Sequence, residues 1–531
     1  MKRLLIGYIV CFITILITPA SVYAQTTIAI NPSVIYQTMT GWEAVQQSGQ
    51  VDCSIGFNVY KNQLFDQASQ DLNINRLRIE VKAISDTSTQ FFLFDSKNPN
   101  AENNSLKDKM DRVVIPYRQK MQALGKKLWL NFIFVGKSGF ISQPDMQVYA
   151  NEVLRTYQFV QSNYGILPDS WEIVLEPGYV SPSWNGSRIA DATTRTSAIL
   201  RQNGYTPYLI LPSSSCGLNT AIGMFNNVLS ANGGNKPADM REFAYHRYCT
   251  PASSDFTQLK SIMNTHNVAS SMLEKGGASY IQLHQDLKVG NVSAWEQFTL
   301  AYCYQSDNGY QYYLTTNSSS PSITVGTRTK YLQQYFKHVD IDAKRIDATL
   351  PGCNSQTECS GSADPLAFKN PNGRMVVIIK VTSTPQTFTL SGLNPGTYGS
   401  SYTNGSASTQ WDVEQSEVIV SSNGVGSFTI PSFGSGVLTV YQKTSSGDPK
   451  VDPPTPTPTA GPINRPTSTL TPTPTLKPGD ANGDNKVDGV DYVVWLNNYN
   501  TSNSGPSNGD FNNDNKVDGV DYVVWLNHYG T

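Results

Sequence analysis

The stretches INRLRIEV (74–81), KLWLNFIFV (127–135) and SWEIVLE (170–176) decide the fold of the larger part of this chain. Each is a short apolar run rich in β-branched and aromatic residues, which is typical of a buried strand. Four similar runs follow at YLILP (208–212), REFAYHRY (241–248), VASSMLE (268–274) and QFTLAYC (297–303). With a first strand expected near residues 39–45 and amphipathic stretches in between, the pattern predicts an α/β fold, a (β/α)8 TIM barrel.

The composition changes twice after the barrel. Residues 350–444 contain short alternating strands separated by Gly, Asn and Pro, a pattern that predicts an antiparallel β-sandwich beside the barrel. Residues 445–478 are rich in Thr-Pro repeats and predict an extended, semi-rigid linker. The predicted barrel therefore occupies residues 25–349, and a small separate domain occupies residues 479–531.

The N-terminus has the features of a secretory signal peptide at residues 1–24. Lys2 and Arg3 precede the apolar run 4–17, and VYA (22–24) offers a small-residue cleavage site. A membrane anchor is the alternative, but the run is short for a span. The net charge of −2 and the charged fraction of 15% exclude a basic nucleic-acid surface. We therefore expect a secreted protein without a membrane segment after cleavage, in which disulfides can form; Cys353 and Cys359 are close enough in sequence to pair.

The C-terminal region contains one motif twice, GDANGDNKVDGVDYVVWLNNY from Gly479 and GDFNNDNKVDGVDYVVWLNHY from Gly509. Oxygen-bearing residues stand at loop positions 1, 3, 5, 9 and 12, with a carbonyl available at position 7, which is the ligand spacing of an EF-hand-type calcium loop. The predicted ligands of two structural Ca²⁺ ions are Asp480, Asn482, Asp484, Lys486 through its carbonyl, Asp488 and Asp491, and then Asp510, Asn512, Asp514, Lys516 through its carbonyl, Asp518 and Asp521.

A helix is expected after each loop. In the first copy, Tyr492, Trp495, Leu496 and Tyr499 form an apolar face that we expect to be buried. Asn485 and Asn515 replace the usual glycine of the turn, since Asn tolerates a left-handed backbone.

This duplicated tail resembles a type I dockerin, a small all-α calcium-binding domain. The resemblance implies docking to a cohesin-type scaffold protein, as in a cellulosome, and an upstream cargo that acts on plant polysaccharide. Gly489-Val490 and Gly519-Val520 stand where dockerins recognise their partner. The alternatives are that the two loops pair only with each other, or that they bind a partner other than a cohesin.

Two of the predicted barrel strands end on a glutamate, Glu176 after the fourth and Glu274 after the seventh. In a barrel enzyme the chemistry lies at the carboxyl ends of the strands. Glycoside hydrolysis uses two carboxyl groups, one that gives a proton to the leaving oxygen and one that attacks the anomeric carbon. Taken singly, a glutamate at a strand end is more often a salt-bridge partner.

Residues 31–443 resemble glycoside hydrolase family 30 and its clan of retaining barrel enzymes. The likeness is carried, in shared order, by TGW (40–42), NRLRIEV (75–81), YANEVLRTYQFVQSNYGI (149–166), AYHRY (244–248), KYLQQYFKHVDIDAKRIDA (330–348) and DPLAFKNPNGRMVVIIKV (364–381). It implies that Glu176 is the acid/base and Glu274 the nucleophile, without a catalytic cofactor. One departure stands out, because the clan has Asn before the acid/base and this chain has Leu175.

Further residues are candidates for contact with a polysaccharide substrate. Arg78 matches the clan's second-strand arginine and could hold a carboxylate ionised, although a structural ion pair is the alternative. His246 and Tyr248 lie on one face of their strand and could point into the barrel mouth. The aromatic candidates for sugar stacking, any of which could be core instead, are Trp42, Tyr179, Trp184 and Trp295.

These observations predict a secreted retaining β-glycoside hydrolase attached to a scaffold. The alternative is a non-catalytic carbohydrate-binding barrel carried by the same tail.

Overall fold

The computed structural model describes residues 25–50, 56–82, 105–136, 146–179, 184–304, 306–315, 322–383, 386–405, 407, 409–431, 434–445, 477–499, 501–502 and 505–530. The predicted signal peptide and nearly all of the predicted linker lie outside these residues. The chain divides into two compact units, residues 1–449 and residues 450–531. Within the described residues, no helix combines the length and the apolar character needed to cross a bilayer.

Eight parallel strands close into a barrel, as predicted. They are β2 (Gly41–Val45), β3 (Arg76–Lys82), β4 (Trp129–Val135), β5 (Ser170–Glu172), β6 (Leu209–Ser214), β7 (Met240–Tyr245), β8 (Ala269–Met272) and β9 (Ala294–Glu296). Neighbours in sequence pair in parallel, and β9 returns to pair with β2 through Trp42 and Trp295. Because all strands point the same way, the loops after them meet at one mouth.

The prediction for the eighth strand was wrong. The barrel closes on Ala294–Glu296, whereas the run QFTLAYC contributes only β10 (Ala301–Cys303) to a separate three-stranded sheet. Its partners there are β11 (Tyr312–Thr315) and β12 (Ser322–Val325). This small sheet therefore belongs to the connection that follows the last barrel strand.

Helices surround the barrel. They are α1 (Lys61–Asp66), α2 (Leu106–Lys109), α3 (Ile115–Ala123), α4 (Met146–Tyr164), α5 (Gly186–Gln202), α6 (Leu218–Ala231), α7 (Ser253–His266), α8 (Tyr280–Lys288) and α9 (Thr327–Phe336). Side chains such as Tyr149 and Val153 on α4 are fully buried in the main core. The long apolar face of α4 is the one expected from the spacing of these residues.

A ten-stranded sheet lies beside the barrel, in the order β18-β17-β21-β15-β14-β13-β1-β16-β20, with β19 paired to β17. Its strands are β1 (Gln25–Thr38), β13 (Lys344–Thr349), β14 (Ala363–Lys369), β15 (Met375–Val381), β16 (Gln386–Ser391), β17 (Gly396–Asn404), β18 (Val413–Glu414), β19 (Val418–Val420), β20 (Gly426–Ile430) and β21 (Gly436–Ser445). Tyr398 on β17 and Phe428 on β20 come from opposite ends of this order, yet their rings are 6.5 Å apart. The sheet therefore curls over its own core.

The predicted barrel range of residues 25–349 begins and ends with strands of this sheet. β1 pairs antiparallel with β13 and parallel with β16, so both ends of the predicted range lie outside the barrel. The opposite face of the sheet packs on the barrel, since Phe368 and Ile378 belong to the main core. Disulfides between described residues include Cys216–Cys249 and the predicted Cys353–Cys359.

The described residues of the C-terminal unit form two α-helices, α10 (Gly489–Asn498) and α11 (Gly519–His528), and a short 3-10 helix at Pro506–Asn508. Its two copies exchange equivalent hydrogen bonds, because Trp495 Nε1 donates to the Asp518 carbonyl at 2.8 Å and Trp525 Nε1 to the Asp488 carbonyl at 2.9 Å. These two tryptophans are the centre of a small core. The prediction of a buried face was partly wrong, since Leu496 and Tyr499 are exposed.

Candidate active site

Glu176 and Glu274 meet at the mouth of the barrel. Glu176 lies four residues beyond the end of β5, and Glu274 lies two residues beyond β8. A carboxylate oxygen of each residue and a ring nitrogen of His246 lie within 4.8 Å of one another. Both glutamates are more than nine-tenths buried, with 8% and 9% of their surface exposed. The backbone of Glu176 is left-handed, with φ of 44°, and its N–H donates to the Ser213 carbonyl at 3.1 Å.

Arg78 holds Glu274 from inside the barrel. Its Nη1 donates to Glu274 Oε2 at 2.7 Å, while Nη2 and Nε donate to Glu172 at 2.8 and 3.2 Å. Arg78 is 1% exposed, so these bonds form where water does not screen them. The arginine therefore fixes one carboxylate of the pair and anchors a third, Glu172, beneath it.

His246 holds Glu176 from the other side. Its Nδ1 lies 2.9 Å from Glu176 Oε1, and its Nε2 lies 3.2 Å from the Ser213 hydroxyl. That hydroxyl in turn donates to Glu172. Because Ser213 uses its proton on a carboxylate, its oxygen accepts from Nε2–H. In a neutral ring Nδ1 is then an acceptor, so its hydrogen bond with Glu176 takes its proton from the Glu176 carboxyl group.

Hydrogen bonds thus connect the two glutamates through the barrel interior. The path runs from Glu176 through His246, Ser213, Glu172 and Arg78 to Glu274. We call these interior residues, His246, Ser213, Glu172 and Arg78, the relay. Every relay member is at most 1% exposed, so the geometry of the two glutamates is set by packed side chains.

A further carboxylate, Glu296 on β9, lies 3.5 Å from Arg78 Nη1. Burial raises the pKa of Glu296 well above its ordinary value, and the neighbouring charges of Glu43 and Glu274 raise it further. The charge of Arg78 acts in the opposite direction and lowers the pKa of Glu296, so this carboxyl group, Glu172 and Glu274 share one buried guanidinium.

Tyr248 closes the site on the solvent side. Its hydroxyl donates to Glu274 Oε1 at 3.0 Å. Burial and the Glu274 carboxylate raise the pKa of Tyr248, so the hydroxyl stays a donor across neutral pH. Tyr248 also lines a cavity of about 450 Å³ with both glutamates, Tyr179, Ser215 and Cys216. A cavity of this size with two carboxylates at its floor accommodates part of a glycan.

Six of the predicted site residues come together at this mouth: Arg78, Glu176, Tyr179, His246, Tyr248 and Glu274. The three predicted tryptophans do not. Trp42 and Trp295 are 1% and 0% exposed, with their indole N–H groups donating to Val339 and Asp286, and Trp184 is 2% exposed against Tyr149. A ring enclosed in this way presents no face to a sugar, so the stacking prediction was wrong for these three.

Sequence reasoning missed Glu172, Ser213 and Glu296. A signal was present for Glu172, which is a charged residue inside the otherwise apolar run SWEIVLE. Such a residue in a buried strand requires an interior partner. Ser213 carried no comparable signal, because its left-handed backbone, with φ of 52°, follows from the fold.

The tail provides oxygen donors that fit calcium. The carboxylates of Asp480, Asp491, Asp510 and Asp521 are fully buried, and they accept backbone N–H groups such as Ala481 N on Asp491 at 2.7 Å. Within the described part of the chain, no lysine or arginine pairs with these four groups. Buried carboxylates without a cation are costly, and Ca²⁺ prefers such oxygen ligands. Asn485 and Asn515 both have φ of 67°, which confirms the predicted left-handed turns.

Comparison with known proteins agrees with this architecture. Residues 478–528 match the family description "Dockerin type I domain". The catalytic domain of GH30 xylanase C from Talaromyces cellulolyticus superposes with a TM-score of 0.61 at 16% identity, covering 79% of this chain and 100% of that domain. A GH30 endoxylanase from Clostridium papyrosolvens C71 gives 0.55 at 16% identity, covering 78% and 100%. An endo-β-1,6-glucanase gives 0.57 at 13% identity, covering 79% and 94%.

A search of curated proteins gave no significant match. At the identities just given, the structural likeness establishes the fold and not the reaction. The chain thus joins a barrel and side sheet with the fold of GH30 catalytic domains to a C-terminal type I dockerin domain.

Proposed function

We propose that this protein is a secreted retaining β-glycoside hydrolase, carried on a scaffold by its dockerin domain. The observation that carries the proposal is the meeting of Glu176 and Glu274, with oxygens within 4.8 Å of each other. Retaining enzymes place their two carboxyl groups about 5–5.5 Å apart, whereas inverting enzymes need about 6.5–9.5 Å to admit a water. The short distance between the carboxyl groups of Glu176 and Glu274 favours a mechanism that retains the anomeric configuration.

The reaction follows from the neighbours of each glutamate. Glu274, ionised and held by Arg78 and Tyr248, attacks the anomeric carbon, and the glycosidic oxygen leaves with a proton from Glu176. The resulting glycosyl ester on Glu274 is cleaved by a water that gives its proton to Glu176. The sugar leaves with its original anomeric configuration, and Glu176 is protonated again. No cofactor takes part in these steps.

The substrate class is a plant or microbial polysaccharide. The solved enzymes of the same fold include two xylanases and an endo-β-1,6-glucanase, which makes xylan and β-1,6-glucan the first substrates to test. An open cavity lined by Tyr179 and Tyr248 is consistent with a long carbohydrate chain.

The proposed reaction is tested by hydrolysis of a polysaccharide and aryl-β-glycoside panel, with Glu274→Gln as the control. Proton NMR of the first product then reports its anomeric configuration. Release of the β-anomer by the wild-type protein, lost in Glu274→Gln, supports the proposal, whereas release of the α-anomer contradicts the retaining mechanism.

A non-catalytic carbohydrate-binding barrel is the second candidate, and Leu175 favours it. An asparagine at this position would bind the sugar 2-hydroxyl, a contact that strengthens in the transition state. Loss of such a contact costs roughly 2–4 kcal/mol by analogy with an oxyanion donor, which slows an enzyme without abolishing it. Glycan binding by calorimetry without turnover on any substrate would establish the binding role instead.

The dockerin domain is proposed to bind two structural Ca²⁺ ions and then a cohesin-type scaffold protein. The proposed ligands are the twelve residues predicted from the sequence, six in each loop. Exposed apolar residues on α10 and α11, among them Val490, Leu496 and their equivalents Val520 and Leu526, are available to a partner. Binding to a cohesin panel with calcium and with a chelator tests both parts of this proposal.

A further inference from the structure

A cluster of tyrosines follows the eighth barrel strand and has no part in the site described so far. The rings of Tyr302 and Tyr310 are 4.9 Å apart, and Tyr304 lies 6.1 Å from each of them. Phe298 supports Tyr310 from behind at 5.9 Å. Tyr304 is 47% exposed, and the other two tyrosines are half-buried. We call Tyr302, Tyr304 and Tyr310 the tyrosine wall.

The tyrosine wall is attached to the loop that carries Glu274. The Phe298 N–H donates to the Lys275 carbonyl at 3.1 Å, and the Gly277 N–H donates to the Gly309 carbonyl at 2.8 Å. These bonds join the connection after the eighth strand to the residues directly after Glu274. The charge of Glu274 also contributes to the raised pKa of Tyr310, after burial and Tyr304. The tyrosine wall therefore lies beside the loop that carries Glu274, and Glu274 lines the cavity.

An exposed aromatic residue stands on the other side of the mouth. Tyr179 is 77% exposed and lines the cavity three residues after Glu176. Glu176 follows the fourth strand and the tyrosine wall follows the eighth, and in a closed eight-stranded barrel these two strands lie opposite each other. Aromatic rings thus flank the two glutamates on both sides.

We propose that the tyrosine wall binds the sugars on the non-reducing side of the cleaved bond, while Tyr179 faces the leaving-group side, so that the enzyme cuts within the polysaccharide chain. The direction follows from the chemistry, since the nucleophile bonds to the sugar that keeps the anomeric carbon and the acid protonates the departing sugar's oxygen. The apolar faces of pyranose rings pack on aromatic rings, which offer large contact areas at low entropic cost. This inference rests on the proposed function of Glu176 and Glu274.

The test compares Tyr304→Ala, Tyr304→Phe and Tyr179→Ala in the full-length protein. The probes are 4-nitrophenyl β-glycosides of xylose and of glucose with one and with three sugar units. Both additional sugars of a trioside lie on the non-reducing side, because the nitrophenyl group occupies the leaving-group side. We expect Tyr304→Ala to lower kcat/KM for the trioside about tenfold, equivalent to about 1.4 kcal/mol, with little change for the monoside.

The two other variants are the controls. Tyr304→Phe keeps the ring and should behave like the wild type, whereas Tyr179→Ala should leave the preference for the trioside intact. Equal loss on monoside and trioside in Tyr304→Ala, or no loss on either, would overturn the inference while leaving the hydrolase intact. If the wild-type protein hydrolyses neither these probes nor any member of the polysaccharide panel, the proposed function fails, and calorimetry with xylotriose and a β-linked glucose trisaccharide then tests the tyrosine wall by itself. Weaker trisaccharide binding by Tyr304→Ala would then support the tyrosine wall as a binding surface, whereas unchanged or undetectable binding would contradict that role.

Discussion

The hydrogen bonds of the relay predict how the substitution Ser213→Ala should change activity. The hydroxyl of Ser213 donates to Glu172 and accepts from His246 Nε2, and it is fully buried. Its removal leaves a ring N–H of His246 without its acceptor, and the tautomer that presents Nδ1 to Glu176 is no longer fixed. The variant changes no group that faces the cavity, so substrate binding should persist while proton transfer through Glu176 suffers.

The expected magnitudes follow from the two hydrogen bonds that are lost. A bond to a charged group contributes about 1.5–3 kcal/mol and a neutral one about 0.5–1.5 kcal/mol, so the free energy of unfolding should fall by about 2–4 kcal/mol. General acid–base catalysis supplies about 10²–10⁴ in rate. Because Glu176 remains but is poorly oriented, we expect kcat to fall by about 10- to 100-fold with KM nearly unchanged.

The assay uses two substrates that differ in their need for an acid. A 2,4-dinitrophenyl glycoside has a leaving group that departs without a proton, whereas a polysaccharide does not. Ser213→Ala should therefore lose more activity on the polysaccharide. Ser213→Gly also removes the hydroxyl, but glycine adopts the left-handed backbone without strain. Comparison with Ser213→Ala therefore separates the loss of the hydroxyl from backbone strain.

Ser271→Ala is the matched control, because Ser271 is a buried barrel serine whose hydroxyl lacks a hydrogen-bond partner among the described residues. It should change neither activity nor stability. The reasoning fails if Ser213→Ala is destabilised but retains full activity on the polysaccharide, since Ser213 would then act only in folding.

Three further outcomes are expected. Removal of calcium with EDTA should unfold the C-terminal unit and abolish cohesin binding while hydrolysis of soluble substrate continues; circular dichroism and pull-down measure this, and binding that survives EDTA would contradict it. Burial lowers the pKa of His284 to about 4, against about 6.5 when unfolded, so the unfolded chain binds the extra proton between these values. The free energy of unfolding should therefore fall by up to about 3 kcal/mol as the pH drops from 6.5 to 4, and urea midpoints measure this fall. The fall should be smaller in His284→Gln, and identical pH profiles for the variant and the wild type would refute the role of His284. Gly392 has φ of 83°, and an added Cβ would meet the Ile30 carbonyl oxygen at 2.1 Å, whereas Gly204 has φ of 81° with open space around it. Gly392→Ala should therefore lower the melting temperature more than Gly204→Ala. Equal shifts in melting temperature would contradict the predicted clash.

The barrel was predictable because its strands are distinctive in the sequence. Runs such as KLWLNFIFV combine β-branched and aromatic residues with a length that suits a buried strand. The closing strand was missed for the same reason, because Ala294–Glu296 is only three residues long and the neighbouring run QFTLAYC has the stronger strand composition. Closure of the barrel, a tertiary requirement, selected the weaker segment.

The candidate site was predictable only where chemistry and position coincide. Glu176 and Glu274 are polar residues at the ends of apolar runs in the sequence, and the fold brings the segments that follow β5 and β8 to one mouth. The aromatic residues carry no such positional signal. A tryptophan packs in a core as readily as on a sugar, and only the structure separates the exposed Tyr179 from the buried Trp42.

Leu175 and the relay bear on the same question, how Glu176 is held. Within the described residues, the carboxyl group of Glu176 has one side-chain hydrogen bond, with His246, and Leu175 adds none. The orientation of this carboxylate therefore depends on Ser213 and Glu172 behind the ring. Glu172 also binds Arg78 through two hydrogen bonds, so the residue that supports one glutamate supports the other. In this arrangement the interior of the barrel, rather than the residue beside Glu176, sets the spacing on which the proposed chemistry depends.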